Sequence, residues 1–421
     1  MKRNLVVLSS ILNFFSFLLS SCIGLIPLEK NEPVAGGYGP QVSPQEHQTQ
    51  TFDALWTIMQ DNYIYYDTAN VDWDALHEKY QNEINKELSA EEFDSLLRKL
   101  ETDLPESSIL YQSRMERIAS DIADTSTYEG IGAFIGFNPK PEPHIVLLSI
   151  IDGSPAEKVG LKAHDSIFAI DGNPISSNEG VNSVQRMRGP SGSTVTLTVQ
   201  SPGGMMHEVQ VQRGKLAANA RLEAFQVAGT KYGYLLFPPI TYDNLLQDVI
   251  AAMQTFTTNQ NLDGLILDLR IAGSSGSWPL ESLYTMFYNG EIGEFYNRLD
   301  RQVLQVEGQD VFSSQSVPLI ILVGKNTQGF PEILAGALQL NKRAIIVGET
   351  TSGRIESSTG YFLPDGSRVY IETTSFVLSN GDEIGLNGVK PNLQIEAGWD
   401  EVLATRDPVL DVAVQQLEQK R

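Results

Sequence analysis

Three consecutive stretches decide the fold: PLIILV (Pro318–Val323), EILAGAL (Glu332–Leu338) and KRAIIVGE (Lys342–Glu349), the last running into the turn Thr351-Ser352-Gly353-Arg354. The first is an unbroken apolar run, as expected for a strand covered on both faces. The second opens a helix, and the third is a strand again. Strand, helix and strand in this order form an α/β unit. The alternation extends backwards from it. Tyr232 to Pro238 reads as a strand, and Asn244 to Phe256 as a helix with Leu245, Val249, Ile250 and Met253 on one stripe. GLILDL (Gly264–Leu269) is another buried strand. From Leu222 onward the pattern predicts an α/β core.

The whole chain has 421 residues, 41% of them hydrophobic, so it has room for two or three domains and a sizeable core. Its net charge of −22 repels nucleic acid and argues against a polyanionic partner. The N-terminus reads as a leader: Lys2 and Arg3 precede an apolar stretch from Leu5 to Leu19 that is short for a permanent span. Leu19-Ser20-Ser21-Cys22 then resembles the bacterial lipobox. Cys22 is the single cysteine, so no intrachain disulfide can form. Residues 1–21 are therefore expected to be a lipoprotein signal peptide. A lipid on Cys22 would be the sole anchor, and the protein would sit extracytoplasmically in a bacterial cell envelope. Residues 22–50, rich in Pro, Gly, Gln and Glu, read as a flexible tether.

From 51 to 128 the apolar spacing is helical: Phe52, Leu55, Trp56 and Met59, then Leu76, Tyr80, Phe93, Leu96, Leu97 and Leu100. Ser89 and Glu92 are spaced as a capping box. Residues 129–216 carry a different signature. GIGA (Gly130–Ala133) leads into a strand, GSPAEKVGL spans Gly153–Leu161, and Ile170-Asp171-Gly172 and Arg188-Gly189-Pro190 follow. This module resembles a bacterial PDZ domain, a small β-sandwich or barrel-like fold. PDZ domains bind by adding a peptide strand to a sheet edge and capturing its carboxylate in a nest of backbone N–H groups. The resemblance implies that Gly130, Ile131, Gly132 and Ala133 supply the nest and that Phe134 to Phe137 form the docking edge. A helix over about Glu179 to Met187, bearing Val181 and Val184, would form the opposite wall.

The segment from Pro318 to Ser358 resembles the carboxyl-terminal-processing (tail-specific) serine peptidases, whose pattern reads S-A-S-E-I-x-A-G-A-L and then G-E-K-T-x-G-K-G-x-x-Q. With this resemblance, which runs from about Phe52 to Leu417, the expected architecture is multidomain α+β. It comprises an N-terminal helical region, a PDZ module and, over 217–421, an α/β core of the ClpP/crotonase type. Aligned on Glu332-Ile333 and Gly348-Glu349, the nucleophile falls on Gly329, the general base on Arg354 and a supporting glutamine on Ser358. The family's R-N-N-x-G-G oxyanion loop becomes Arg270-Ile271-Ala272-Gly273-Ser274-Ser275-Gly276, and an upstream histidine becomes Ser108.

A Ser-Lys hydrolase needs a hydroxyl to attack, a neutral amine to take its proton and donors aimed at the oxyanion. Glycine offers no hydroxyl, and arginine keeps its proton at any physiological pH. The residues therefore predict a peptidase fold without the family's chemistry, binding extended polypeptide or protein C-termini and presenting them to, or regulating, an active peptidase. The rival reading is an active endopeptidase with a relocated nucleophile among Ser274, Ser275, Ser277, Thr327, Ser352, Ser357 and Ser358, or with Lys325 as base. His47, His77, His144, His164 and His207 are scattered, which favours neither a Ser-His-Asp triad nor a metal site. No cofactor is expected. His164 stands in a PDZ turn where the resemblance places glycine.

Overall fold

The computed structural model describes residues 42–105, 108–125, 128–216, 220–258, 262–274, 277–385, 387–403 and 405–420; the leader and Cys22 lie outside them. The chain divides into two compact units. One contains the chain up to Gln60, Ala69–Arg117 and Gly360–Tyr370, and the other Asp61–Thr68, Ile118–Thr359 and Ile371–Arg421.

The first unit contains helices α1 (Pro44–Asn62), α2 (Trp73–Ile84) and α3 (Ala90–Asp103), strand β1 (Ile109–Gln112) and the start of α4 (Arg114–Thr125). α1 begins at Pro44, six residues before the expected end of the tether. Its buried stripe of Phe52, Leu55, Trp56 and Met59 continues upstream through Gln48 and Thr51, polar residues that an apolar count passes over. α3 starts on the expected capping box, with Glu92 N–H donating to Ser89 Oγ and Ser89 N–H to Glu92 Oε2. The helical region ends at Arg117 rather than 128, and Gly360–Tyr370 belongs to it despite lying far along the chain. The cause is a hairpin tip: the buried Arg117 donates to Gly366 O at 2.8 Å, and Arg368 donates twice to Gln112 Oε1.

The second unit holds both the PDZ module, expected at 129–216, and the α/β core, expected over 217–421. The PDZ module comprises β2 (Tyr128–Gly130), β3 (Ala133–Asn138), β4 (His144–Ile150), a short α5 (Pro155–Lys158), β5 (Ser166–Ile170), β6 (Asn173–Pro174), β7 (Thr194–Gln200), β8 (His207–Gln212) and β9 (Gly214–Leu216). Its main sheet runs β3-β4-β5-β7-β8, leaving β3 at an edge. The wall expected as a helix is a 3-10 helix over Gly180–Met187. Ser183 Oγ donates to Gly180 O at 2.6 Å, a local bond that competes with α-helical pairing.

The core adds β10 (Glu223–Gln226), β11 (Tyr232–Leu236), α6 (Leu245–Thr257), β12 (Gly264–Asp268), α7 (Leu280–Phe287), β13 (Gly290–Tyr296), β14 (Arg301–Val306), β15 (Leu319–Val323), α8 (Phe330–Leu340), β16 (Ala344–Gly348), β17 (Ser357–Phe362), β18 (Arg368–Leu378), β19 (Leu393–Gln394) and α9 (Pro408–Gln419). Its sheet runs β10-β11-β12-β15-β16-β19, and every neighbour after the antiparallel β10–β11 pair is parallel. Leu265, Leu267, Leu319 and Ile321 face one apolar layer with residues of α6, α7 and α8. Ile266, Ile320, Leu322 and Val347 face the other, against Val409, Ala413 and Leu417 of α9. Coverage on both faces explains the unbroken apolar runs.

Candidate active site

In an open parallel sheet, sites form in the loops beyond the carboxyl ends of the strands. Three such loops converge here, after the neighbouring strands β12, β15 and β16. Gln328 N–H donates to Ala272 O at 3.1 Å, joining the first to the second. Ser352 N–H donates to Thr327 O at 3.1 Å and Gly329 N–H to Arg354 O at 2.9 Å, joining the second to the third. The positions aligned with nucleophile and base are thus backbone neighbours.

Glu332 binds this junction together. Its side chain is fully buried and accepts from the N–H groups of Gly329 (3.0 Å), Gly353 (2.7 Å) and Arg354 (3.0 Å). The hydroxyls of Thr351 and Ser352 donate to it as well. Burial pushes its carboxyl above the usual glutamate value despite these donors. The sequence contained this residue as an alignment anchor but gave no sign of its five partners.

At the centre, Gly329 is the cap of α8 with φ of +73°, a conformation that favours glycine. A Cβ at 329 would also overlap the Ser274 hydroxyl, which would have to move to admit a side chain. Ser274 Oγ accepts from Phe330 N–H at 2.9 Å. Ser274, from the loop after β12, therefore occupies the place where a side chain at 329 would sit, and it takes up a backbone donor at the helix start. Gly273 is buried against Pro239 O and Gln328 Nε2, and Ser275 and Gly276 lie outside the described residues.

Arg354 is exposed, and its charge restrains the nearby Glu372 carboxyl, which burial and then Glu356 push up to about 8. Glu356 accepts from Tyr65 Oη at 2.7 Å and Ser375 Oγ at 3.3 Å. Ser358 is exposed on β17. The remaining candidates are committed elsewhere: Thr327 Oγ1 donates to Leu269 O at 2.7 Å, and Lys325 Nζ pairs with Glu349 at 2.9 Å. Among the described residues, no Ser or Thr hydroxyl hydrogen-bonds a Lys or His nitrogen. The oxyanion loop is itself anchored by Arg270, which forks between Asp268 and Asp407 in a buried network that also takes the Tyr234 hydroxyl.

In the PDZ module, Ile131 O accepts from Ala156 N–H and Gly132 O from Ile151 N–H, which fixes the loop. The N–H groups of Ile131 and Gly132 bond to no acceptor among the described residues. Gly132 has φ of +86°, and a Cβ there would overlap Ser154. Val184 is half-buried against the PDZ core and Val181 is 48% exposed. Ala133, Ile135 and Phe137 face the PDZ core, and the pleat turns Phe134 the other way, where it packs, partly exposed, against Val146, Leu148 and Ile271.

Comparison with known proteins agrees with this architecture. Residues 231–395 match the model of peptidase family S41, residues 44–100 the tricorn protease C1 domain and residues 125–200 the PDZ domain. A carboxyl-terminal-processing protease of Picosynechococcus sp. is 31% identical over 281 residues, covering 64% of this chain and 65% of the relative. The chloroplastic C-terminal processing peptidase of Tetradesmus obliquus is 26% identical, over 84% of this chain and 78% of its own. The solved photosystem II D1 C-terminal processing protease shares the fold with a TM-score of 0.64 at 24% identity, across 87% of this chain and 96% of that one. Matches over helices, PDZ module and core show that the chain carries a peptidase family S41 domain, a tricorn C1 domain and a PDZ domain, and that it is similar to carboxyl-terminal-processing proteases.

Proposed function

We propose that this chain is a non-catalytic member of its family, which holds extended polypeptides by their free C-termini and is anchored by a lipid on Cys22 in a bacterial cell envelope. One observation carries the reading: Ser274 Oγ fills the nucleophile's place and takes the Phe330 N–H. In an acyl-transfer enzyme, such a donor at the start of the helix is aimed at the developing oxyanion. Here it is already satisfied by a neutral hydroxyl. With no hydroxyl at Gly329 and a permanent cation at Arg354, attack, proton removal and charge stabilisation all lack their groups. The PDZ loop retains open N–H donors at Ile131 and Gly132, which supports retained peptide capture. A captured chain would then be delivered to, or withheld from, an active peptidase.

The rival reading makes Ser274 a relocated nucleophile. Its position favours this, but its oxygen accepts from an oxyanion-type donor and has no lysine or histidine bonded to it. The test of capture is an affinity comparison on the full chain. A peptide ending in an apolar residue with a free carboxylate should bind at least about tenfold more tightly than the same peptide amidated, in line with a charge-assisted bond. Equal affinities would remove carboxylate capture from the account.

A further inference from the structure

Two histidines of the PDZ module reach neighbouring residues of one short core segment, the 3-10 turn Trp399–Glu401. His144, at the start of β4, is 1% exposed and stacks on Phe168 with ring centroids 4.9 Å apart. Its Nδ1 lies 2.7 Å from Glu142 O and its Nε2 2.9 Å from Asp400 Oδ2. A carbonyl and a carboxylate only accept, so both ring nitrogens must carry protons for both bonds to form, and the ring is then an imidazolium. His164, in the turn before β5, donates from Nδ1 to Trp399 O at 2.6 Å, with its ring 4.3 Å from the indole. Its φ of +78° explains why glycine suits that position and how a histidine there can point at the core. Trp399 Nε1 in turn donates to Leu148 O at 3.1 Å.

We propose that these contacts form a proton-dependent latch: the His144 cation on Asp400 clamps the PDZ module to the core, and loss of its proton loosens that clamp. The proposal does not depend on whether the core is catalytic. The charged groups around His144 are Asp400 and Glu142, with Lys325, Glu349 and Arg270 lining the same small cavity as Asp400. Burial opposes the His144 charge, but the bonds to Asp400 and Glu142 outweigh it and raise the group above the ordinary histidine value. Burial opposes the Asp400 charge, but the bond to His144, with His144 and Lys325 as nearby charges, lowers its carboxyl below the usual aspartate value. A raised histidine contributes its stabilisation fully below about 6.5, and that contribution is lost as pH rises through the folded value. His164 is shifted the opposite way: burial, helped by the neighbouring Arg270, lowers it below the ordinary histidine value.

The decisive experiment follows the histidine Cε1–H resonances of the full chain from pH 5.5 to 9.5. Hydrogen exchange over 398–401 and 144–150 is measured in parallel and corrected for intrinsic rates. His144 should titrate above 6.5, and protection of both segments should fall at least about tenfold across that titration, while β12 and β15 keep theirs. His144→Gln and Asp400→Asn should each exchange at the high-pH rate at every pH. The resonance titration needs no variant, so it decides the matter even if the variants fold poorly. A His144 midpoint at or below 6.5, or protection independent of pH, would overturn the latch.

Discussion

At residue scale the site turns on what stands at 329. An isolated loss of a serine nucleophile costs on the order of a million-fold in kcat, so on the proposed reading Gly329 alone would silence the family's chemistry. The geometry makes reversal harder than the sequence implies. Gly329→Ser, and the double variant with Arg354→Lys, should both stay unlabelled by a serine-directed phosphonate, because the Ser274 hydroxyl already fills the space. Adding Ser274→Gly removes that obstacle, and only the triple variant should react. Labelling of the single variant would show that the loop yields more readily than its packing indicates. Gly329→Ala should cost about 1–3 kcal/mol in urea unfolding, from the left-handed backbone and the overlap together. The sequence placed 329 and 354 at one site through their neighbours Glu332 and Gly348. It could not show that Ser274 turns inward, because that depends on Phe330 N–H, a partner 56 residues away.

At element scale, periodicity located the strands and helices well and their limits less well. Continuous apolar runs identified β12, β15 and β16, since both faces are covered. The start of α1 was obscured by the polar Gln48 and Thr51 in its buried stripe, and the 3-10 wall by a side-chain bond that no spacing reveals. β18 holds an element-scale titration. Burial and the Glu356 carboxylate push Glu372 up to about 8, against the pull of Arg354. The folded chain thus keeps a proton that the unfolded chain releases near 4.3. Its stabilisation is complete below that value and is lost as pH rises through about 8. Glu372→Gln should therefore leave stability near pH 5 unchanged and raise it by about 1–2 kcal/mol at pH 9, allowing for partial solvent screening. Parallel urea curves for variant and parent at both pH values would contradict this.

At the scale of the whole molecule, the PDZ module and core fall in one compact unit. Contacts joining them include those of His144, His164 and Phe134, which in the sequence are a scattered histidine, a turn residue and a strand-edge residue. The leader supplies a further expectation: Cys22→Ala should abolish metabolic labelling with palmitate and shift the chain out of the membrane fraction. The central claim, capture without cleavage, is tested most directly by incubating the purified, unmodified chain with an unfolded polypeptide bearing a free C-terminus. New peptide termini are then sought by mass spectrometry under conditions where binding is saturated. The account predicts a bound, intact polypeptide and no new termini. Progressive cleavage that disappears on Ser274→Ala would contradict it and make Ser274 the nucleophile.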